Sequence, residues 1–165
     1  MSTSHEHQSD DFVAEELERF TLACRDRGTP VTQQRLAVYR ALLERDDHPD
    51  ADAIFQALRP THPTLSLATV YNTVLLLEEQ GFVREVGAPG TSRRFDANRS
   101  PHHHLLCRRC QRLVDVELDI PVPIELPQGI DFRITDYTIQ FNGVCKECRS
   151  RADALECDTS KGGSR

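Results

Sequence analysis

The chain has 165 residues, with 20 Lys and Arg against 26 Asp and Glu and a formal net charge of −6. That length holds one domain or two small ones, and no apolar run approaches the roughly 18 residues needed to span a membrane. Residues 1–11 are polar and lack the apolar stretch of a secretory signal, so the expected location is cytoplasmic, with no membrane partner.

The acidic total conceals a local imbalance. Residues 21–45 carry Arg25, Arg27, Arg35, Arg40 and Arg45 against Asp26 and Glu44, so the first third of the chain can present a basic face.

Residues 1–9, which include His5 and His7, read as a disordered tail. A helical pattern begins at Asp10. Val13, Leu17, Phe20 and Cys24 recur at spacings of four, three and four, and Gly28 with Pro30 ends the run. Cys24 falls on that stripe and reads as a small core residue. Thr32 can cap a second helix with Leu36, Tyr39 and Leu43 inward. Asp50 can cap a third with Ile54, Ala57 and Leu58 inward, and Pro60 and Pro63 mark the connection after it. Ser66 can cap a fourth with Leu67, Val70, Val74 and Leu77 inward, and Gly81 stands where a helix-ending glycine belongs.

Two extended segments follow, Phe82 to Val86 and Ser92 to Phe95, joined by the turn composition Gly87-Ala88-Pro89-Gly90-Thr91. Helices that run into a β-hairpin suggest a winged helix-turn-helix, whose recognition helix enters the major groove. After about residue 98 the character changes. His102 to Leu106, Arg112 to Leu118 and Phe132 to Phe141 read as strands, while the prolines of 121–127 limit any helix there to about one turn. The tail begins helically near Ser150 and then frays. The fold class is α+β.

Cys107-x-x-Cys110 and Cys145-x-x-Cys148 form two knuckles. In a cytoplasmic chain this pattern points to metal, not to disulfides. Four thiolates in a tetrahedral shell suit zinc, and a closed shell of that kind is structural. Cys157 stands outside the pattern. A second metal signal is Pro101-His102-His103-His104. On a strand alternate side chains share a face, so His102 and His104 point together and His103 points away. Asp96, Asp115 and the segment His48-Pro49-Asp50 offer further ligands, although composition alone does not bring separated residues together.

At this point the residues resemble a known family. Val31-Thr32-Gln33-Gln34-Arg35, His48-Pro49-Asp50-Ala51, Leu67 to Thr73, Arg94-Phe95-Asp96, the His102 to Cys110 block and Gly143-Val144-Cys145 with Cys148 together resemble the ferric uptake regulators over residues 12–150. The resemblance implies a winged-helix DNA-binding domain over 10–92, a hinge over 93–100, a small α/β dimerisation and metal-sensing domain over 101–152, and a flexible tail over 153–165. It implies a metal-dependent repressor that works as a homodimer on a palindromic, A/T-rich double-stranded operator. It also implies that His48, Asp96, His102, His104 and Asp115 form a regulatory site for Fe(II) or Mn(II), beside the structural Zn(II).

Asp at both 96 and 115 resembles the peroxide-sensing branch of the family, in which iron-catalysed oxidation of a ligand histidine, here His48 or His102, releases the operator. Iron-level regulation is the alternative, with manganese or zinc sensing behind it. Two departures stand out. Tyr137 occupies a position where many members have a further histidine ligand, and Pro30 one where many have a basic residue, whose part Arg25 or Arg27 could take.

On the fourth helix Ala68, Thr69 and Asn72 face away from the core stripe, with Tyr71 at its border. By resemblance Tyr71 lies against the major groove. Tyr71 and Ala68 suit a thymine methyl group and Asn72 suits adenine. Arg35, Gln33, Arg93 and Arg94 are expected on phosphates, which orient without specifying sequence. A metalloenzyme is a rival reading of the His and Asp set, but no general base or nucleophile motif accompanies it. The enzyme reading also leaves the Arg-rich first third and the winged-helix pattern unexplained. A passive zinc-binding module, which would bind no specific DNA and whose DNA affinity metal at the His site would not change, is a second rival.

Overall fold

The computed structural model describes residues 9–88, 90–119, 129–134, 137 and 139–151. The chain divides into two compact units, Met1–Ser100 and Pro101–Arg165. The expectations for His5, His7, the 121–127 segment, Cys157 and the 153–165 tail lie outside the described residues.

The first unit holds four helices, α1 Asp10–Asp26, α2 Gln33–Leu43, α3 Ala51–Leu58 and α4 Leu67–Glu79, followed by strands β1 Arg84–Val86 and β2 Arg94–Asp96. Each helix starts on a side chain that accepts a backbone N–H left without an intrahelical partner. Ser9 accepts from Phe12, Thr32 from Arg35, Asp50 from Ala53 and Ser66 from Thr69. Gly81, at φ +74, ends α4 in the left-handed region that glycine enters without strain. The hairpin β1–β2 is antiparallel, with Glu85 opposite Phe95. Four helices and a two-stranded wing make a winged helix.

The core of this unit is one cluster that includes Val13, Phe20, Val38, Tyr39, Ile54, Val70, Val74 and Leu77. At its centre Phe20, Tyr39 and Phe82 meet edge to face, with ring centroids 5.4–5.6 Å apart, the arrangement the ring quadrupoles favour. Cys24 is fully buried there, and burial pushes its thiol up. Ala57 is exposed, against expectation. On an eight-residue helix the inward stripe runs Ala51, Ile54 and Leu58, and Ala57 falls about 90° from the centre of that stripe. Residues 94–96, inside the stretch read as hinge, form β2, and Phe95 and Ala97 lie in the core.

The second unit holds β3 His103–Cys107, β4 Leu113–Val116 and β5 Gln140–Gly143 in the order β4-β3-β5. β3 pairs antiparallel with β4, setting His104 opposite Asp115, and parallel with β5, setting Cys107 opposite Gly143. The strand expected over Phe132 to Phe141 is confined to its end. Residues 131–134 are not extended into a ladder, and Phe132 is 70 % exposed. Its apolar side chains find no buried face among the described residues of this chain, and burial on one face is what fixes a strand. Residues 146–151 are helical and begin directly after Cys145, earlier than expected. Among the described residues no helix is long and apolar enough to cross a membrane.

Candidate metal centres and nucleic-acid interface

The two knuckles converge at one end of the sheet. Cys107 closes β3 and Cys110 follows in the turn, while Cys145 and Cys148 sit just after β5, at the start of the short helix. The parallel register Cys107–Gly143 therefore delivers both pairs to the same place. The four sulfurs lie within 4.8 Å of one another, and Cys110 Sγ is 3.7 Å from Cys145 Sγ. A zinc–sulfur bond of about 2.3 Å gives a tetrahedron edge of roughly 3.8 Å, so the set fits zinc. Backbone amides of Cys110 and then Cys145 donate to Cys107 and hold its thiol down to about 6; the Cys145 amide lies 3.4 Å from the sulfur. A thiolate is what a metal takes. Cys148, facing Cys145 and buried, is pushed up to about 12.

At the other end of β3, His102 and His104 share a face. Their Nε2 atoms are 3.1 Å apart, and Asp115 Oδ1 is 3.6 Å from the first and 3.5 Å from the second. The antiparallel register explains the carboxylate, because Asp115 stands directly opposite His104. Two nitrogens each about 2.1 Å from one ion stand about 3 Å apart, so this trio fits a first-row metal. His103 faces the other way. Its Nδ1 accepts the Ile139 N–H at 3.4 Å, and its ring lies 6.0 Å from that of Tyr137.

In the first unit, His48 and Asp96 form a second pair of donors. Both are buried, and a ring nitrogen of His48 lies within 4.8 Å of a carboxylate oxygen of Asp96. Asp96 accepts the Asn98 N–H at 2.7 Å and stands 3.4 Å from Arg84 Nε. His48 lies before Pro49 with φ +51, in the left-handed region. The chain around it is tied to β2. The Phe95 N–H donates to Pro49 O at 3.1 Å, Asp50 bridges to Arg94, and Arg94 donates through Nε to His48 O at 2.7 Å and through Nη2 to Asp47 O.

That placement changes the expected role of Arg94. The half-buried guanidinium is committed to two carbonyls of its own chain rather than presented to phosphates. Arg93 is exposed but paired with Glu85 at 2.6 Å and Glu78 at 2.9 Å. Arg35 donates to Pro30 O, and Gln33 is exposed at the start of α2. On α4, Ala68, Tyr71 and Asn72 are exposed, while Thr69 is half-buried with its hydroxyl 2.8 Å from Ser66 Oγ. The Tyr71 hydroxyl reaches Asp52 at 3.4 Å, and the Asp52 charge pushes it up.

Sequence reasoning missed Glu16, which is buried in the first unit. It accepts from Tyr39 Oη at 2.9 Å and from Arg19 Nη1 at 2.7 Å, and it lies 3.6 Å from Arg99. The signal was present: position 16 lies on the stripe between Val13 and Phe20, and a carboxylate there requires partners.

A winged helix joined to a second unit with a four-cysteine knuckle and a His/Asp set defines a class of metal-binding regulator. The chain belongs to the ferric uptake regulator family, which it matches over residues 26–142. It is 38% identical over 141 residues to the peroxide-responsive repressor PerR of Staphylococcus aureus, covering 84% of this chain and 95% of the relative. In fold it is similar to the Helicobacter pylori ferric uptake regulator Fur, with a TM-score of 0.69 at 19% identity over 87% of this chain and 97% of that one. It is similar also to the Vibrio cholerae ferric uptake regulator, with a TM-score of 0.60 at 24% identity over 76% of this chain and 99% of that one.

Proposed function

We propose that the chain is a metal-dependent transcriptional repressor that senses peroxide. The observation that carries this reading is the His102–His104–Asp115 trio, built by strand alternation and register at one end of β3. His48 and Asp96 are a second donor pair of the right chemistry in the other unit. The 38% identity to a peroxide-responsive repressor supports the same branch.

In this reading all five residues hold one Fe(II) or Mn(II), and the four cysteines hold Zn(II). A metal gripping donors from both units fixes their mutual angle, so its binding shifts an equilibrium that the operator also senses. A homodimer then sets two α4 helices against a palindromic, A/T-rich operator, with Tyr71, Asn72, Thr69 and Ala68 at the bases and Arg35 and Gln33 at phosphates. Fe(II) held by these residues would supply the redox chemistry by which hydrogen peroxide, the oxidant, places one oxygen on a C–H carbon of the imidazole of His48 or His102, its other oxygen leaving as water. The altered ring is a poor ligand, the grip fails and the operator is released. The chain acts as a regulator in the cytoplasm and turns over no substrate.

The test is peptide mapping by mass. Protein loaded with Fe(II) without oxygen and given a small excess of hydrogen peroxide gains one oxygen on the peptide holding His48 or His102, and a manganese-loaded sample does not. Unmodified histidines with iron shown to be bound would overturn peroxide sensing and leave iron-level regulation.

A further inference from the structure

His48 is an unusual ligand to hold in place. It sits at φ +51, which β-carbon sterics disfavour, and the following Pro49 closes the right-handed alternative. Such a conformation persists only where its surroundings over-determine it. Strand β2 holds this segment at several points. Phe95 N–H holds Pro49 O, Arg94 bridges to Asp50, and the Arg94 guanidinium spans the carbonyls of Asp47 and His48. Two residues further along that strand is Asp96, itself fixed by Asn98 N–H and Arg84.

We infer that Arg94 is a positioning residue for the regulatory metal. It clamps the His48 turn onto the strand that carries Asp96, so that the two donors of the first unit move as one rigid half-site. The planar guanidinium suits this task, because its fork reaches two successive carbonyls at once, and a lysine ammonium lacks that geometry. Arg94 touches neither metal nor DNA in this role. It acts through the backbone of a ligand, as hydrogen-bonded partners of metal ligands commonly do. The inference rests on the assignment of His48 and Asp96 as ligands.

The experiment measures Mn(II) affinity by competition with a chelator on the full-length, zinc-loaded protein, for wild type, Arg94→Gln, Arg94→Lys and His48→Ala. The melting temperature of each without Mn(II) is recorded alongside. The salt dependence of operator binding is then measured at saturating Mn(II). Arg94→Gln is expected to weaken Mn(II) binding about ten- to a hundredfold, the usual cost of losing such a partner. Arg94→Lys should recover part of that loss, and the salt slope should remain that of wild type. Unchanged Mn(II) affinity in Arg94→Gln, with a salt slope reduced by about one, would overturn the clamp and make Arg94 a phosphate contact. A melting temperature that falls with no loss of Mn(II) affinity would overturn it in favour of plain structural support. If Arg94→Gln does not fold, the affinity of Arg94→Lys decides between the same outcomes. Unchanged affinity in His48→Ala would instead overturn the ligand assignment beneath the inference.

Discussion

The Tyr39 hydroxyl donates to Glu16 across 2.9 Å inside the helical core, where both residues are buried. A hydrogen bond to a buried charge contributes about 1.5–3 kcal/mol, so Tyr39→Phe should lower the stability of the first unit by that amount. The effect should depend on pH. Burial first, and the Glu16 charge second, raise the Tyr39 hydroxyl above its ordinary value of 10.0. Below that pH both folded and unfolded chains keep the proton. Above it the unfolded chain releases the proton and the folded one does not, so stability is lost by up to about 1.4 kcal/mol per pH unit. The gap between wild type and Tyr39→Phe, read from urea midpoints, should therefore narrow from about pH 9 to about pH 11. A constant gap would show that folding does not hold this hydroxyl above its ordinary value.

Removal of one thiolate should dismantle the second unit. Apparent binding free energies of structural zinc reach about 10–16 kcal/mol in small zinc domains, and among the described residues of the unit little is buried beyond Leu106, Leu113, the histidines and two of the cysteines. Cys145→Ser is expected to lower zinc content to background and to abolish cooperative unfolding of the unit, as seen by metal analysis and circular dichroism. A zinc-free variant with an intact sheet would show that strand pairing alone suffices.

On the DNA side, Tyr71 and Asn72 are exposed on neighbouring positions of α4. Asn72→Ala should cost about 1–3 kcal/mol of operator affinity and relax the preference at one base pair. Tyr71→Ala should weaken binding at thymine positions. Both should bind Mn(II) as wild type does. Fluorescence anisotropy on operator and single-base variants gives the readout, and a uniform loss on all sequences would assign these side chains to the backbone instead.

Much of the fold was legible because its signals are local. Thr32, Asp50 and Ser66 cap the helices they precede, and Gly81 ends α4. The Cys pairs and the alternation of His102 and His104 follow from spacing. What stayed hidden depends on distant partners. The extent of β5 is set by pairing with β3, which the apolar run over 132–141 does not encode. Arg94 read as a phosphate ligand because an arginine on a wing is ordinarily exposed. Its commitment to Asp47 and His48, 47 and 46 positions earlier, exists only after the turn has docked on β2. Glu16 was readable as a polar intruder on an apolar stripe, but its partner Tyr39 was not.

Strand β3 carries His104 near its start and Cys107 at its end, with His102 just before it. From His102 to Cys107 the extended chain measures roughly 17 Å. The histidine donors and the cysteine donors thus occupy opposite ends of one rigid ruler. Loss of an imidazole at one end would leave the knuckle and the strand order at the other end in place. Under the proposed function such a molecule would stay folded while its sensing end was spent, and recovery would then call for new protein rather than refolding.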